Sequence, residues 1–248
     1  MNRLLLLLSL FLSLSVQAKC TDKPEIIAVI DTGFGFAGYG KEAKLCPSGH
    51  KDFSEQVDSP EKGVLTTAVP LDTLGHGTNI VGIIESYARP AHINYCILIL
   101  KYYSNKNNSN NLLATVFSIR EAIKLGAKYI NYSSGGADPS KKEQTEVENF
   151  LNGGGIFVTA EGNDGLNLDI PKNHRYPPGY DKRIVVVGML EKDGTKARIS
   201  SYGSVVNRWE VGRSVLGYQV IQSGTSQATA VAMGKIVAQS KNKCDIGK

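Results

Sequence analysis

Three short segments carry the residue types that acyl-transfer chemistry needs. Asp31-Thr32-Gly33 offers a carboxylate, Gly75-His76-Gly77-Thr78 an imidazole, and Gly224-Thr225-Ser226 a hydroxyl. Taken singly, each has a plain structural explanation: an Asx turn after a strand, a loop histidine between glycines, an N-cap before a helix. Together they are more specific. A serine nucleophile needs a base to take its proton, and the base needs a carboxylate to fix its tautomer and stabilise the imidazolium. The order Asp, His, Ser is one of the known chain orders of that triad. Glycines beside His76 and Ser226 let another backbone approach closely. A serine at a helix start also faces the free N–H groups and positive dipole of that end, which suits a developing oxyanion.

The elements that must position these residues alternate. Ile26–Ile30 is a short β-branched apolar run that ends at Asp31. Apolar residues at helical spacing predict a helix over Thr78–Ala88, followed by a strand over Ile93–Leu100. Asn105–Asn111 reads as a polar loop and Leu112–Leu125 as an amphipathic helix stopped by Gly126. Tyr129–Tyr132 predicts a strand running into Ser133-Ser134-Gly135-Gly136. Glu143–Leu151 predicts a helix, and Ile156–Ala160 a strand ended by Glu161-Gly162-Asn163-Asp164. Ile184–Val187 is a further strand, and Ser226–Ala238 a buried helix rich in Ala, Val and Ile. Residues 34–72 read as loops with one strand at most. Strand–helix repetition implies an α/β fold with a mostly parallel sheet and helices on both faces. Such sheets react at the carboxyl ends of their strands, where Asp31, Ser133–Gly136 and Asn163 would gather.

The chain resembles the subtilisin-like serine proteases, the subtilases, over about residues 25–240. Asp31-Thr32-Gly33 matches that family's aspartate motif, Asp72-Thr73-Leu74-Gly75-His76-Gly77-Thr78-Asn79-Ile80-Val81-Gly82 its histidine motif, and Gly224-Thr225-Ser226 its serine motif. Asn131–Gly136 resembles the strand that forms one wall of the main specificity pocket, and Ala160–Asn163 the other wall. The resemblance implies a three-layer subtilisin-like fold and a secreted serine endopeptidase working through an acyl-enzyme. In that reading Asp31, His76 and Ser226 are catalytic, and Asn163 and the Ser226 N–H hold the oxyanion. Ser133, Ser134, Gly135, Ala160, Glu161 and Gly162 line the substrate pocket. The partner is a polypeptide substrate. Two alternatives share the scaffold: a weak or inactive binding protein, and an esterase or acyltransferase using the same triad.

Departures from the family pattern give further expectations. Gln227-Ala228-Thr229-Ala230 replaces the family's Met-Ala-any-Pro, so Gln227 is expected to bring an amide near the nucleophile. Glu161 stands where a small residue is usual; facing the pocket it would favour a basic substrate side chain, facing outward it would do nothing. Many relatives bind structural calcium, but no spacing of oxygen ligands here supports such a site, and no metal or other cofactor is expected.

Length and composition fit one domain of this kind. A chain of 248 residues can bury a large core, and 42% hydrophobic with 21% charged residues is an ordinary globular balance. The net charge of +5 comes from scattered lysines and arginines, with no basic block of the nucleic-acid type. Residues 1–18 have a basic start, an apolar run over Leu4–Val16 and small residues at Val16 and Ala18, so a secretory signal peptide is expected. The run is too short to span a bilayer comfortably, so no stable membrane association is expected. The rest, residues 19–248, reads as one peptidase domain with no evident N-terminal pro-domain, acting as a monomer in a periplasm or outside the cell. The expectation is folding without a cleaved N-terminal segment, or with help from another chain. Four cysteines, Cys20, Cys46, Cys96 and Cys244, have no metal-site spacing and suit disulfides in an oxidising compartment. Three pairings are possible. Because domain ends are often close, Cys20–Cys244 with Cys46–Cys96 is favoured, one reduced pair being the alternative.

Overall fold

In the computed structural model, residues 20, 22–54, 64–65, 68–105 and 111–245 are described. The expected signal peptide and most of the asparagine-rich loop lie outside them. The strands are β1 (Glu25–Asp31), β2 (Lys51–Asp52), β3 (Val64–Leu65), β4 (Tyr95–Lys101), β5 (Tyr129–Tyr132), β6 (Ile156–Ala160), β7 (Val185–Leu190), β8 (Arg208–Val211), β9 (Val215–Gly217) and β10 (Val220–Gln222). The α-helices are α1 (His76–Ala88), α2 (Asn111–Lys124), α3 (Lys141–Asn152) and α4 (Thr225–Ala238).

Eight strands form one sheet in the order β3-β2-β4-β1-β5-β6-β7-β8. All neighbours run parallel except β3, which pairs antiparallel with β2 at the edge. β1 lies between β4 and β5, and helices pack on both faces of the sheet there, which is why it reads as a continuous apolar run. Ile27 and Val29 point into a core shared with α1 and α4, including Ile80, Ile83, Ile84, Val231 and Met233. Ala28 and Ile30 point into the opposite core, with Ala114, Ile119, Val147 and Phe150 of α2 and α3. The alternation of side chains along one strand therefore divides the molecule into three layers. The register then does the positioning. Ile30 pairs with Tyr132, and Tyr132 with Thr159. The next residues, Asp31, Ser133 and Ala160, thus emerge side by side at the carboxyl ends of β1, β5 and β6.

Cys20 pairs with Cys244 and Cys46 with Cys96. The first bridge joins the start of the described chain to its end. The second ties the loop before β2 to β4. Residues 34–72 hold two very short strands, β2 and β3, rather than one. Among the described residues no helix is long and apolar enough to cross a membrane.

Candidate active site

His76 is the first residue of α1, and the turn before it is built around one carboxylate. Asp72 is buried and accepts five hydrogen bonds. Its Oδ1 takes the Thr32 hydroxyl at 2.9 Å and the N–H groups of Leu74 and Gly75 at 2.9 Å each. Its Oδ2 takes the Thr78 N–H at 2.9 Å and the Thr78 hydroxyl at 2.7 Å. This satisfies N–H groups that a helix start leaves without internal partners. Thr32 in turn accepts the Gly77 N–H at 2.9 Å, linking the aspartate segment to the histidine segment. Gly77 leaves no room for a Cβ, which would collide with the Gly33 carbonyl. Gly75 has φ 79°, a left-handed conformation that suits glycine.

This packing sets His76 against Asp31. The imidazole Nδ1 lies 2.7 Å from Asp31 Oδ1, which also accepts the Thr32 N–H at 2.8 Å. With Nδ1 donating, Nε2 is left as an acceptor. Burial disfavours the imidazolium, but the charge and hydrogen bond of Asp31, with the charge of Asp72 behind, outweigh it and raise His76 above the ordinary histidine value.

Ser226 is the second residue of α4. In this state its hydroxyl donates to the Ser133 carbonyl at 3.2 Å, and no hydrogen bond joins it to His76. Asn163 Oδ1 accepts the Thr225 N–H at 3.0 Å, which leaves the amide Nδ2 as the donor beside the α4 start. The Ser226 N–H lies in the first turn, among those a helix cannot satisfy internally. Asn163 is exposed, so a bound group can reach it.

A cavity of about 230 Å³ opens next to Ser226. Ser133, Ser134 and Gly135 line one side, and Ala160, Glu161, Gly162 and Asn163 the other. Asp164 and Arg175, which the sequence did not single out for a pocket, line it as well. Tyr176, next to Arg175, exchanges backbone hydrogen bonds of 2.9 Å with Gly136 in both directions. Gly135 sits so close to the Tyr176 carbonyl that a Cβ would collide with it. A larger cavity of about 490 Å³ lies beyond Arg175, bounded by Leu168, Asp169, His174 and Tyr176 among others. It contains none of the three chemical side chains.

Two departures resolve here. The Gln227 amide is turned away from Ser226: its Nε2 donates to Asn79 Oδ1 at 3.0 Å and Gln222 Oε1 at 3.1 Å, tying α4 to α1 and β10. Glu161 lines the cavity, yet the residue is only 1% exposed and its Oε2 is sealed from solvent without a partner. Its Oε1 accepts the Ser200 hydroxyl at 2.5 Å. The carboxyl is thus turned into the protein, not offered to an incoming basic side chain. Burial pushes it up to about 8, against the opposing pull of the Ser200 hydrogen bond.

The Glu161 environment has a measurable consequence. Between the ordinary carboxyl value and about 8, the folded state holds a proton that the unfolded chain has released. Stability therefore falls as pH rises through that window and levels off above it. Glu161→Gln keeps the shape of the protonated acid and removes the titration. In a Ser226→Ala background, urea unfolding should show the variant close to its parent near pH 4. Near pH 9 it should be roughly 3–5 kcal/mol more stable. Parallel pH profiles for the two proteins would contradict this account.

The family model of the subtilase family matches residues 22–246. The chain belongs to the subtilase family. The subtilase is 28% identical over 216 residues to alkaline protease 1 of Emericella nidulans, covering 80% of this chain and 51% of that protein. It is 27% identical over 234 residues to thermitase of Thermoactinomyces vulgaris, covering 89% of this chain and 77% of the relative. The subtilase thus spans about half the length of the fungal alkaline protease and more of thermitase. Its fold superposes on a cold adapted subtilisin-like serine proteinase with TM-score 0.68 at 22% identity, covering 89% of this chain and 77% of that one. It superposes on a lanthipeptide protease with TM-score 0.71 at 18% identity, covering 86% and 72%. Among the described residues no three His, Cys, Asp or Glu side chains converge as metal ligands. The described residues thus form no carboxylate-rich cage.

Proposed function

We propose that this subtilase is a serine endopeptidase of an oxidising, extracytoplasmic compartment, with Asp31, His76 and Ser226 as its triad. The observation that carries the reading is the 2.7 Å His76–Asp31 pair, whose remaining ring nitrogen is an acceptor on the same sheet edge as Ser226. The substrate backbone lies along Ser133–Gly135, and the residue before the scissile bond enters the cavity. The Ser226 hydroxyl rotates from the Ser133 carbonyl toward His76 Nε2; such contacts often tighten only when substrate is bound. As Oγ bonds to the carbonyl carbon, its proton passes to His76, and Asp31 stabilises the resulting imidazolium. Negative charge on the carbonyl oxygen is met by Asn163 Nδ2 and the Ser226 N–H. The carbon–nitrogen bond breaks as His76 gives its proton to the leaving amine, which leaves an acyl-enzyme. Water then repeats the sequence, its proton going to His76 and back to Ser226 as the acid departs. The two disulfides support the compartment.

The test is labelling by a fluorophosphonate together with turnover of casein. The wild-type protein should be labelled and should cleave casein, and Ser226→Ala should do neither. Labelling that persists in Ser226→Ala would remove the assignment. Turnover of simple esters without casein cleavage would move it to an esterase.

A further inference from the structure

We propose that Arg175 makes the cavity beside Ser226 selective for substrates with a carboxylate side chain, glutamate or aspartate, before the scissile bond. This deepens the protease reading and rests on it. The two walls contribute no net charge near neutral pH. Ser133, Ser134, Gly135, Ala160 and Gly162 are neutral, and the Glu161 carboxyl is sealed behind its wall. The charged groups that reach the cavity are Arg175 and Asp164. They differ in how firmly the protein holds them. The Arg175 side chain is 22% exposed and follows from a backbone pinned to Gly136 through Tyr176. Asp164 is 55% exposed and meets Arg175 through Nη2 at 2.9 Å. The other guanidinium contact, Nη1 to the His174 carbonyl, is long at 3.5 Å.

A guanidinium has five N–H donors in a rigid fork, and these two contacts leave part of the fork unused. A carboxylate entering the cavity can take the fork in the paired geometry that arginine and carboxylate prefer. Asp164 can swing into water at little cost, because exposed ion pairs of this kind contribute little. A substrate lysine would instead face a fixed like charge. An apolar side chain would cover the guanidinium and offer no acceptor. The volume of about 230 Å³ corresponds to the liquid share of roughly seven or eight waters, which accommodates a glutamate side chain.

The experiment compares inactivation by peptidyl phosphonates that differ only at the residue before the reactive phosphorus: glutamate, glutamine, leucine or lysine. A plain fluorophosphonate run alongside reports the nucleophile itself. The glutamyl probe should react at least about tenfold faster than the glutaminyl and leucyl probes, with the lysyl probe slowest. Arg175→Gln should abolish the glutamyl preference, read as the ratio of glutamyl to leucyl inactivation rates within that variant. Asp164→Asn, which leaves Arg175 in place and removes its competitor, should widen the preference. If the plain probe labels but the glutamyl probe reacts no faster than the leucyl or lysyl one, this inference is overturned and the protease reading stands. A glutamyl preference that survives in Arg175→Gln overturns it equally. If the plain probe does not label, the protease reading falls and the inference with it.

Discussion

Asp31→Asn should lower kcat by roughly four orders of magnitude while the protein stays folded. The substitution conserves shape, and Oδ1 can still accept the Thr32 N–H that it holds at 2.8 Å. What disappears is the negative charge 2.7 Å from His76 Nδ1. Without it the imidazolium formed during attack is no longer stabilised. If the amide nitrogen turns to the ring, His76 must carry its proton on Nε2, where it cannot accept one from Ser226. The pH profile separates these effects from simple damage. In the proposed mechanism the active base is neutral His76, so activity should rise as pH climbs through the histidine value. Asp31 raises that value, so the acid limb of kcat/KM in the parent should lie above about 6.5. In Asp31→Asn the limb should move downward, since burial is then less opposed. A loss under tenfold with an unmoved limb would show that Asp31 is not the partner that matters.

Asp72→Ala should be the most destabilising single change near the site, costing about 4–6 kcal/mol or more. Five donors converge on this carboxylate, and Asp72 is 2% exposed. The two hydroxyls can turn to other acceptors, but the N–H groups of Leu74, Gly75 and Thr78 cannot leave the turn. An unsatisfied buried donor costs roughly 1–3 kcal/mol, and a whole domain is stable by only about 5–15 kcal/mol. Asp72→Asn should fall between, since it keeps one acceptor oxygen but presents an NH₂ to another donor. Urea unfolding in a Ser226→Ala background reads both effects without self-digestion. A loss of under about 1 kcal/mol for Asp72→Ala would mean that water replaces the carboxylate easily. The His76 ring would then owe its placement to α1 packing alone.

The legible part of this molecule was the part in which residue type is forced by local physics. Ile26–Ile30 reads as a strand because β1 is covered on both faces, and its end at Asp31 needs no tertiary knowledge. His76, Ser226 and the pocket segments stand on strand ends and helix starts, so chain order and element order suffice to bring them to one edge. The segments that escaped notice are short or shaped from elsewhere. β8 spans four residues of mixed polarity, and β9 and β10 three each, too few for a period to show. Gln227 follows Ser226 directly, but the helical turn sends its amide to Asn79 and Gln222. Glu161 was visible as an oddity, yet which way its carboxyl turned depended on Ser200, 39 residues away. Arg175 sits in a loop with no motif. The bridge from Tyr176 to Gly136 brings it to the cavity.

The bridge between Cys20 and Cys244 makes the described polypeptide a closed loop with a short tail. Any single break in the backbone between those cysteines opens the circle without freeing a fragment. A nicked molecule would therefore keep its full mass on a denaturing gel until a thiol reagent was added. Samples judged intact without reductant could already carry cuts made by their neighbours.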